Sequence, residues 1–117
     1  MPVWAVVVTY NRKELLRECL VALRAQTRPP DHVLVVDNAS TDGTLELVSE
    51  EFGEVELLAL PENVGGAGGF HAGLERAYAS GAEWAWLMDD DTVPQPEASR
   101  GTTQLPAVPR NLDGRAA

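Results

Sequence analysis

Three carboxylates in a row, Asp89-Asp90-Asp91, stand directly after the apolar run Trp84 to Met88. Adjacent carboxylates repel one another unless a positive charge sits among them. A hard divalent cation, Mn²⁺ or Mg²⁺, supplies that charge, prefers oxygen ligands and leaves coordination positions for phosphate oxygens. A solvated acidic turn is the plain alternative, but a triplet that terminates a buried strand favours the metal. Asp37 ends another apolar run, Val33 to Val36. A carboxylate there accepts hydrogen bonds from a ribose hydroxyl or a base N–H, or it opens an Asx turn across Asn38-Ala39-Ser40-Thr41. Thr9-Tyr10-Asn11 follows the run Val3 to Val8. It offers a hydroxyl, an aromatic face on which a nucleobase can stack and an amide that we assign to capping the next helix.

Gly65-Gly66-Ala67-Gly68-Gly69 is a further candidate. Gly66 and Gly68 begin a G-x-G pattern, but His71 stands where the third glycine of G-x-G-x-x-G belongs, and no G-K-[ST] follows. Neither the dinucleotide fingerprint nor a P-loop is present. Clustered glycines ahead of a helix still allow close backbone approach to a ligand and leave N–H groups for an anion. Close packing of the helix start on a sheet explains them equally well. His71 has too little around it for a metal site. Trp4, Phe70, Trp84 and Trp86 read as core or half-core residues.

These clusters must be positioned by the elements between them. The valine-rich runs suit strands buried on both faces. After the first, Asn11 as N-cap and Glu14 as a variant capping box predict a helix whose stripe is Leu15, Leu16, Cys19, Leu20 and Leu23. Thr27-Arg28-Pro29-Pro30 stops it. A second helix carries Leu45, Val48 and Phe52 and closes at Gly53. A third strand is expected over Val55 to Leu60. After the glycines, a helix through Phe70, Leu74, Ala77 and Tyr78 ends near Gly81. Strands alternating with helices through short links predict an α/β fold, a parallel Rossmann-like half-sheet. Such sheets bind ligands outside the carboxyl ends of their strands, and every cluster above follows a strand there. After Val93 the pattern dissolves into Pro, Ser, Thr, Gly and Arg, so residues 1–97 read as the folded part and 98–117 as an irregular, disordered tail.

The chain has 117 residues, 44% of them hydrophobic and 23% charged, enough for one small domain with a core. Its formal net charge of −9 leaves no excess of Lys and Arg to displace counterions, which argues against nucleic acid as a partner. Cys19 is the single cysteine, so a disulfide framework and a cysteine zinc cage are excluded. No apolar run reaches the ~20 residues of a membrane span, and Met1-Pro2-Val3-Trp4 lacks the basic start of a signal peptide. The expectation is a cytoplasmic protein. A four-stranded half-sheet is thin, and a homodimer is one way for it to gain burial.

Four stretches in order carry a family resemblance: Val6-Val7-Val8-Thr9-Tyr10-Asn11-Arg12, Val35-Val36-Asp37-Asn38-Ala39-Ser40-Thr41-Asp42-Gly43-Thr44, Asn63-Val64-Gly65-Gly66-Ala67-Gly68-Gly69-Phe70 and Leu87-Met88-Asp89-Asp90-Asp91. Over residues 3–97 the chain resembles the family 2 glycosyltransferases. The resemblance implies the GT-A nucleotide-diphospho-sugar transferase fold and inverting transfer of a sugar from a nucleotide sugar such as a UDP- or dTDP-sugar. It implies that Thr9, Tyr10, Asp37, Gly66, Asp89 and Asp90 contact the donor. Asp89 and Asp91 would be the D-x-D pair that binds Mn²⁺ or Mg²⁺. The Asn63–Phe70 stretch looks most like bacterial galactofuranosyl- and rhamnosyltransferases of cell-envelope polysaccharides. That likeness implies a glycan or lipid-linked acceptor and peripheral association with the inner face of the cell membrane.

In this family the general base lies in the second half of the domain, whereas the present chain ends soon after its D-x-D. The expectation is therefore a donor- and metal-binding half, inactive alone for want of the base; neither Glu97 nor Asp113 has support for that role. Two rivals remain. A non-catalytic nucleotide-binding fragment would hold nucleotide without turnover. Asp89-Asp90-Asp91-Thr92-Val93 also fits the D-x-D-x-[TV] string of haloacid-dehalogenase-like phosphatases, which carry it after the first strand rather than the fourth.

Overall fold

The computed structural model describes residues 2–91 and the backbone of 103–104. Four strands, β1 (Val3–Thr9), β2 (His32–Asp37), β3 (Glu56–Ala59) and β4 (Trp84–Asp89), alternate with three helices, α1 (Lys13–Arg24), α2 (Thr44–Glu51) and α3 (Gly65–Ala79). All pairings among these strands are parallel. Across the sheet the order is β3-β2-β1-β4, with β5 (Thr103–Gln104) antiparallel on the outer side of β4. The chain thus builds outward from β1 through β2 to β3, then crosses back to place β4 on the other side of β1. The reversal of strand order falls between β1 and β4, where α/β sheets open a crevice.

The continuous valine runs are explained by cover on both faces. Ala5, Val7, Val35 and Met88 pack with Leu16, Cys19, Leu20 and Leu23 of α1 and with Val48 and Phe52 at α2. Trp4, Val6, Val8, Leu34 and Val36 pack on the other face with Ala77 of α3 and Ala82. Trp86 and Phe70 are half-buried against these clusters, as half-core residues should be. Leu15 is not part of the buried stripe and is 40% exposed, because the contact of α1 with the sheet is narrower than its apolar face. The third strand is shorter than the Val55–Leu60 run. Among the described residues no helix is long and apolar enough to cross a membrane.

Two local expectations are corrected. Asn11 does not cap α1: the N-cap position is Arg12, no side chain of its own caps the helix, and Asn11 adopts φ 50°. Its Oδ1 accepts the Thr41 N–H at 2.7 Å and its own N–H donates to Ser40 Oγ at 2.9 Å, so it ties the β1–α1 loop to the β2–α2 loop. Asn visits left-handed backbone more readily than most residues, which suits the turn. The glycines, expected ahead of a helix, are the first turns of α3 itself. They divide by environment. A Cβ on Gly73 would lie 2.5 Å from Val6 Cγ1 and 2.9 Å from Val36 Cγ2, and one on Gly69 would lie 2.7 Å from Val8 Cγ1. Nothing lies within 4 Å of such an atom on Gly65 or Gly66. The small residues along α3 therefore let it settle on β1 and β2, while Gly65 and Gly66 keep a surface bare.

This contrast predicts opposite signs for one substitution. Alanine normally stabilises a helix interior by ~1 kcal/mol relative to glycine. At Gly73 the clash with β1 and β2 should reverse that and lower stability by about 1–3 kcal/mol. Gly66→Ala should leave stability unchanged or raise it. Equal thermal melting of Gly73→Ala and Gly66→Ala would contradict the packing of α3.

The expected irregular tail is described only at Thr103–Gln104, which pair with Ala85 and Trp84. The rest of 98–117, and with it Asp113, lies outside the described residues, as does Glu97.

Candidate functional site

Parallel register aligns Thr9 with Asp37 and Val8 with Asp89, so the ends of β1, β2 and β4 meet at one edge. Above them lies a cleft of about 350 Å³ lined by Tyr10 and Arg12 after β1, Asn38 after β2, Asn63, Gly65 and Gly66 at the start of α3, and Asp89 to Asp91. Tyr10 is 45% exposed, its ring available as a stacking face. Gly65, at φ 79°, turns the chain into α3 and donates its N–H to Asn63 Oδ1. Asn38, itself buried, holds this corner from below: its Nδ2 donates to the Gly65 carbonyl at 3.1 Å and its Oδ1 accepts the Val64 N–H at 3.2 Å. The N-terminus of α3, with its positive dipole end, is thereby fixed facing the cleft.

The acidic triplet splits into one inward and two outward carboxylates. The strand ends at Asp89, and the chain turns at Asp90 and Asp91. Asp90 is buried and accepts the Thr9 hydroxyl on Oδ2 at 2.9 Å, so these two candidates line the floor of the cleft while binding each other. Burial pushes the Asp90 carboxyl up, against the Thr9 hydrogen bond and the nearby Arg12 charge, which pull it down. Asp89 and Asp91 are exposed. Arg12 Nη1 stands 3.6 Å from Asp90 Oδ1 and 3.9 Å from Asp91 Oδ2. The same negative field, after burial itself, pushes the Cys19 thiol up to about 12, which makes Cys19 an inert core residue beside Met88.

The donor set fits a hard cation. Asp89 and Asp91 offer only carboxylate oxygens, which suit Mg²⁺ or Mn²⁺ and disfavour softer metals. Among the described residues no group of three or more His, Cys, Asp or Glu side chains converges into a cage. A cation here would rest on one or two protein oxygens and on oxygens of a ligand.

Asp37 lies one residue behind the cleft wall rather than on it and is 1% exposed. Of its two readings, the Asx turn is formed. Oδ2 accepts the Ser40 N–H at 3.2 Å, the Asx turn, while Oδ1 is buried with no partner. A buried carboxylate oxygen without a donor is costly, which singles it out as a site for a ligand's donor.

Arg12, Asn38 and Asn63 line the cleft and Asp42 braces the loops beside it, although single-residue reasoning gave them no place there. Asp42 Oδ2 accepts the N–H of Lys13 at 3.1 Å, and Oδ1 accepts the N–H and hydroxyl of Thr44. One carboxylate thus caps both α1 and α2, and it fixes the backbone next to Arg12.

The family model described as Glycosyl transferase family 2 matches residues 4–102. The galactofuranosyltransferase GlfT1 of Mycolicibacterium smegmatis is 48% identical over 92 residues, which cover 79% of this chain and 30% of that protein. The N-acetylglucosaminyl-diphospho-decaprenol L-rhamnosyltransferase of Mycobacterium tuberculosis is 30% identical over 109 residues, 88% of this chain and 34% of that one. Among solved structures, S. aureus TarS in complex with UDP superposes with a TM-score of 0.74 at 28% identity, covering 86% of this chain and 30% of TarS. The mannosyltransferase PcManGT of Pyrobaculum calidifontis, in complex with GDP-Man and Mn²⁺, gives 0.62 at 31% identity over 83% of this chain and 29% of that one. The chain thus spans about a third of the length of the curated relatives it matches.

Proposed function

This chain belongs to glycosyl transferase family 2, and we propose that its cleft binds a nucleotide-sugar donor, a UDP- or dTDP-sugar, for inverting transfer to a cell-envelope glycan or lipid-linked acceptor. One observation carries the reading: Tyr10, the N-terminus of α3 and Asp89 to Asp91 surround one cleft where the strand order reverses. A nucleoside diphosphate needs those three things together, a stacking face, an anion site and acidic oxygens for a cation. The UDP of TarS and the GDP-Man and Mn²⁺ of PcManGT support it. The decaprenol in the name of the rhamnosyltransferase supports a lipid-linked acceptor.

In transfer the bond between the anomeric carbon and the diphosphate oxygen breaks, and a bond from the acceptor hydroxyl forms on the opposite face. Bound by Asp89 and Asp91, Mn²⁺ or Mg²⁺ would neutralise the charge that gathers on the departing diphosphate. The chain's own residues position the donor. Tyr10 offers its ring to the base, and Asp37 Oδ1 is free to accept a donor from the nucleoside side. Asn38 keeps the α3 N-terminus aimed at phosphate. Thr9 holds Asp90 so that Asp89 and Asp91 face outward. We assign no general base for the acceptor hydroxyl among the described residues.

Calorimetric titration of UDP into the 117-residue chain, with and without Mn²⁺, tests the reading. With few protein ligands, metal and nucleotide should reinforce each other reciprocally, and Mn²⁺ should tighten UDP by at least about tenfold. Equal affinity in both conditions would reduce Asp89 to Asp91 to an acidic turn.

A further inference from the structure

Arg12 is the cation paired with the acidic triplet among the described residues, and its place in the cleft goes beyond holding a loop. We infer that Arg12 is a resident counter-charge of the triplet, which a divalent cation displaces and which then serves the phosphates of the bound nucleotide. The inference rests on the metal reading above.

The geometry separates a fixed backbone from a free side chain. The Arg12 carbonyl accepts the Leu16 N–H at 2.9 Å, and the next residue, Lys13, is held by Asp42. The guanidinium is tied by neither. Its side chain is 54% exposed, and its 3.6 and 3.9 Å approaches to Asp90 and Asp91 are ion pairs longer than a charge-assisted hydrogen bond. Such a loose pair neutralises carboxylates without a rigid geometry and is readily exchanged. Asp91, 58% exposed, is the shared group. A divalent cation on Asp91 would stand within a few ångströms of the guanidinium, and two cations on one carboxylate repel. The guanidinium would then leave Asp91 while its Cα stays at the mouth of the cleft. The anion within reach there is the nucleotide's diphosphate, which a planar guanidinium grips in bidentate fashion.

The consequence is a pair of effects with opposite signs. In the nucleotide-free chain, Arg12→Met should tighten Mn²⁺ roughly three- to tenfold, because a competing charge is gone. At saturating Mn²⁺ the same variant should weaken UDP by about tenfold, because a charged phosphate contact is gone. Arg12→Lys keeps the charge but loses the planar fork. It should bind Mn²⁺ like the parent and UDP between parent and Arg12→Met. A purely structural role for Arg12 would move both affinities the same way.

Mn²⁺ binding is read from the free-ion electron paramagnetic resonance signal on the full 117-residue chain, and UDP binding by calorimetry. If Arg12→Met does not melt cooperatively, Arg12→Gln is measured in its place with the same expectations. Unchanged or weaker Mn²⁺ binding in the charge-removing variant, with Mn²⁺ binding by the parent still dependent on Asp91, overturns the inference and spares the metal reading. Parent binding that Asp91→Asn does not affect overturns both.

Discussion

Asn in place of Asp91 is expected to remove most of the Mn²⁺-dependent gain in UDP affinity, a loss of roughly ten- to a hundredfold. Asn keeps the size of the side chain and one carbonyl oxygen, so shape is conserved while the charge that holds a hard cation is lost. The exposure of Asp91 makes the expectation specific. Its side chain is 58% exposed and its ion pair with Arg12 is 3.9 Å long, so the fold gains little from it. Thermal stability should therefore hold while metal-dependent affinity falls. Glu50→Gln, on the exposed side of α2, is the matched loss of charge away from the cleft and should leave both unchanged. A calorimetric titration in which Asp91→Asn shows the parent's Mn²⁺-dependent gain would remove Asp91 from the metal site. Asp90→Asn gives no such separation, because Asp90 is buried and bonded to Thr9, and its replacement disturbs the floor of the cleft as well as its charge.

What was legible beforehand follows from how the strands are buried. A strand covered on both faces must be apolar at every position, so β1 and β2 stand out as runs; β4 is equally apolar although Leu87 on it is 44% exposed, and the first polar residue after each run marks the carboxyl edge. Local pattern alone therefore places Thr9, Asp37 and Asp89 to Asp91 on one edge; the register aligns Thr9, Asp37 and Asp89 there, and Asp90 and Asp91 follow into the cleft. The family pattern in the same four stretches adds the nature of the fold, which the superposition with TarS supports. The contacts that shape the site between those markers had no local signature. Asn11, Asp42 and Asn38 bond to partners about 26 to 30 residues away, where neither helical nor strand period relates the two ends. Asn11 looked like a cap because Asn before a helix usually is one. The cap of α1 comes instead from Asp42, across the loops. Arg12 was hidden for a similar reason, since only the return of β4 beside β1 brings the triplet to it. The glycines were ambiguous because one run serves two purposes. Gly69 sits against β1 and Gly66 faces the open cleft, and a one-dimensional count cannot tell them apart.

The dependence of two helices on one carboxylate gives Asp42→Ala a large expected cost in stability. A lost N-cap costs about 1 kcal/mol, and here the N–H groups of Lys13 and Thr44 and the hydroxyl of Thr44 lose their acceptor together. The combined loss should be about 2–3 kcal/mol, a fall in Tm on the order of 10 °C for a domain of this size. The effect should also depend on pH with a defined sign. Burial works to raise the Asp42 carboxyl, but the hydrogen bonds from the Thr44 hydroxyl and from the Lys13 and Thr44 N–H groups outweigh it and hold the carboxyl below its ordinary value of 3.8. The folded chain thus binds a proton at Asp42 less readily than the unfolded chain, and across that window stability rises with pH. The contribution is complete above the ordinary value and is lost as pH falls through the lowered one. The gap in Tm between parent and Asp42→Ala should be constant from pH 7 to about 5 and should narrow as the pH approaches about 3. A gap of the same width at both ends of that range would mean that Asp42 acts by shape rather than as an ionised cap. Binding gives an independent check, because Lys13 anchors the backbone that carries Arg12 into the cleft. Fraying of the first turn of α1 should weaken UDP at pH 7 even though Asp42 itself is not among the residues that line the cleft.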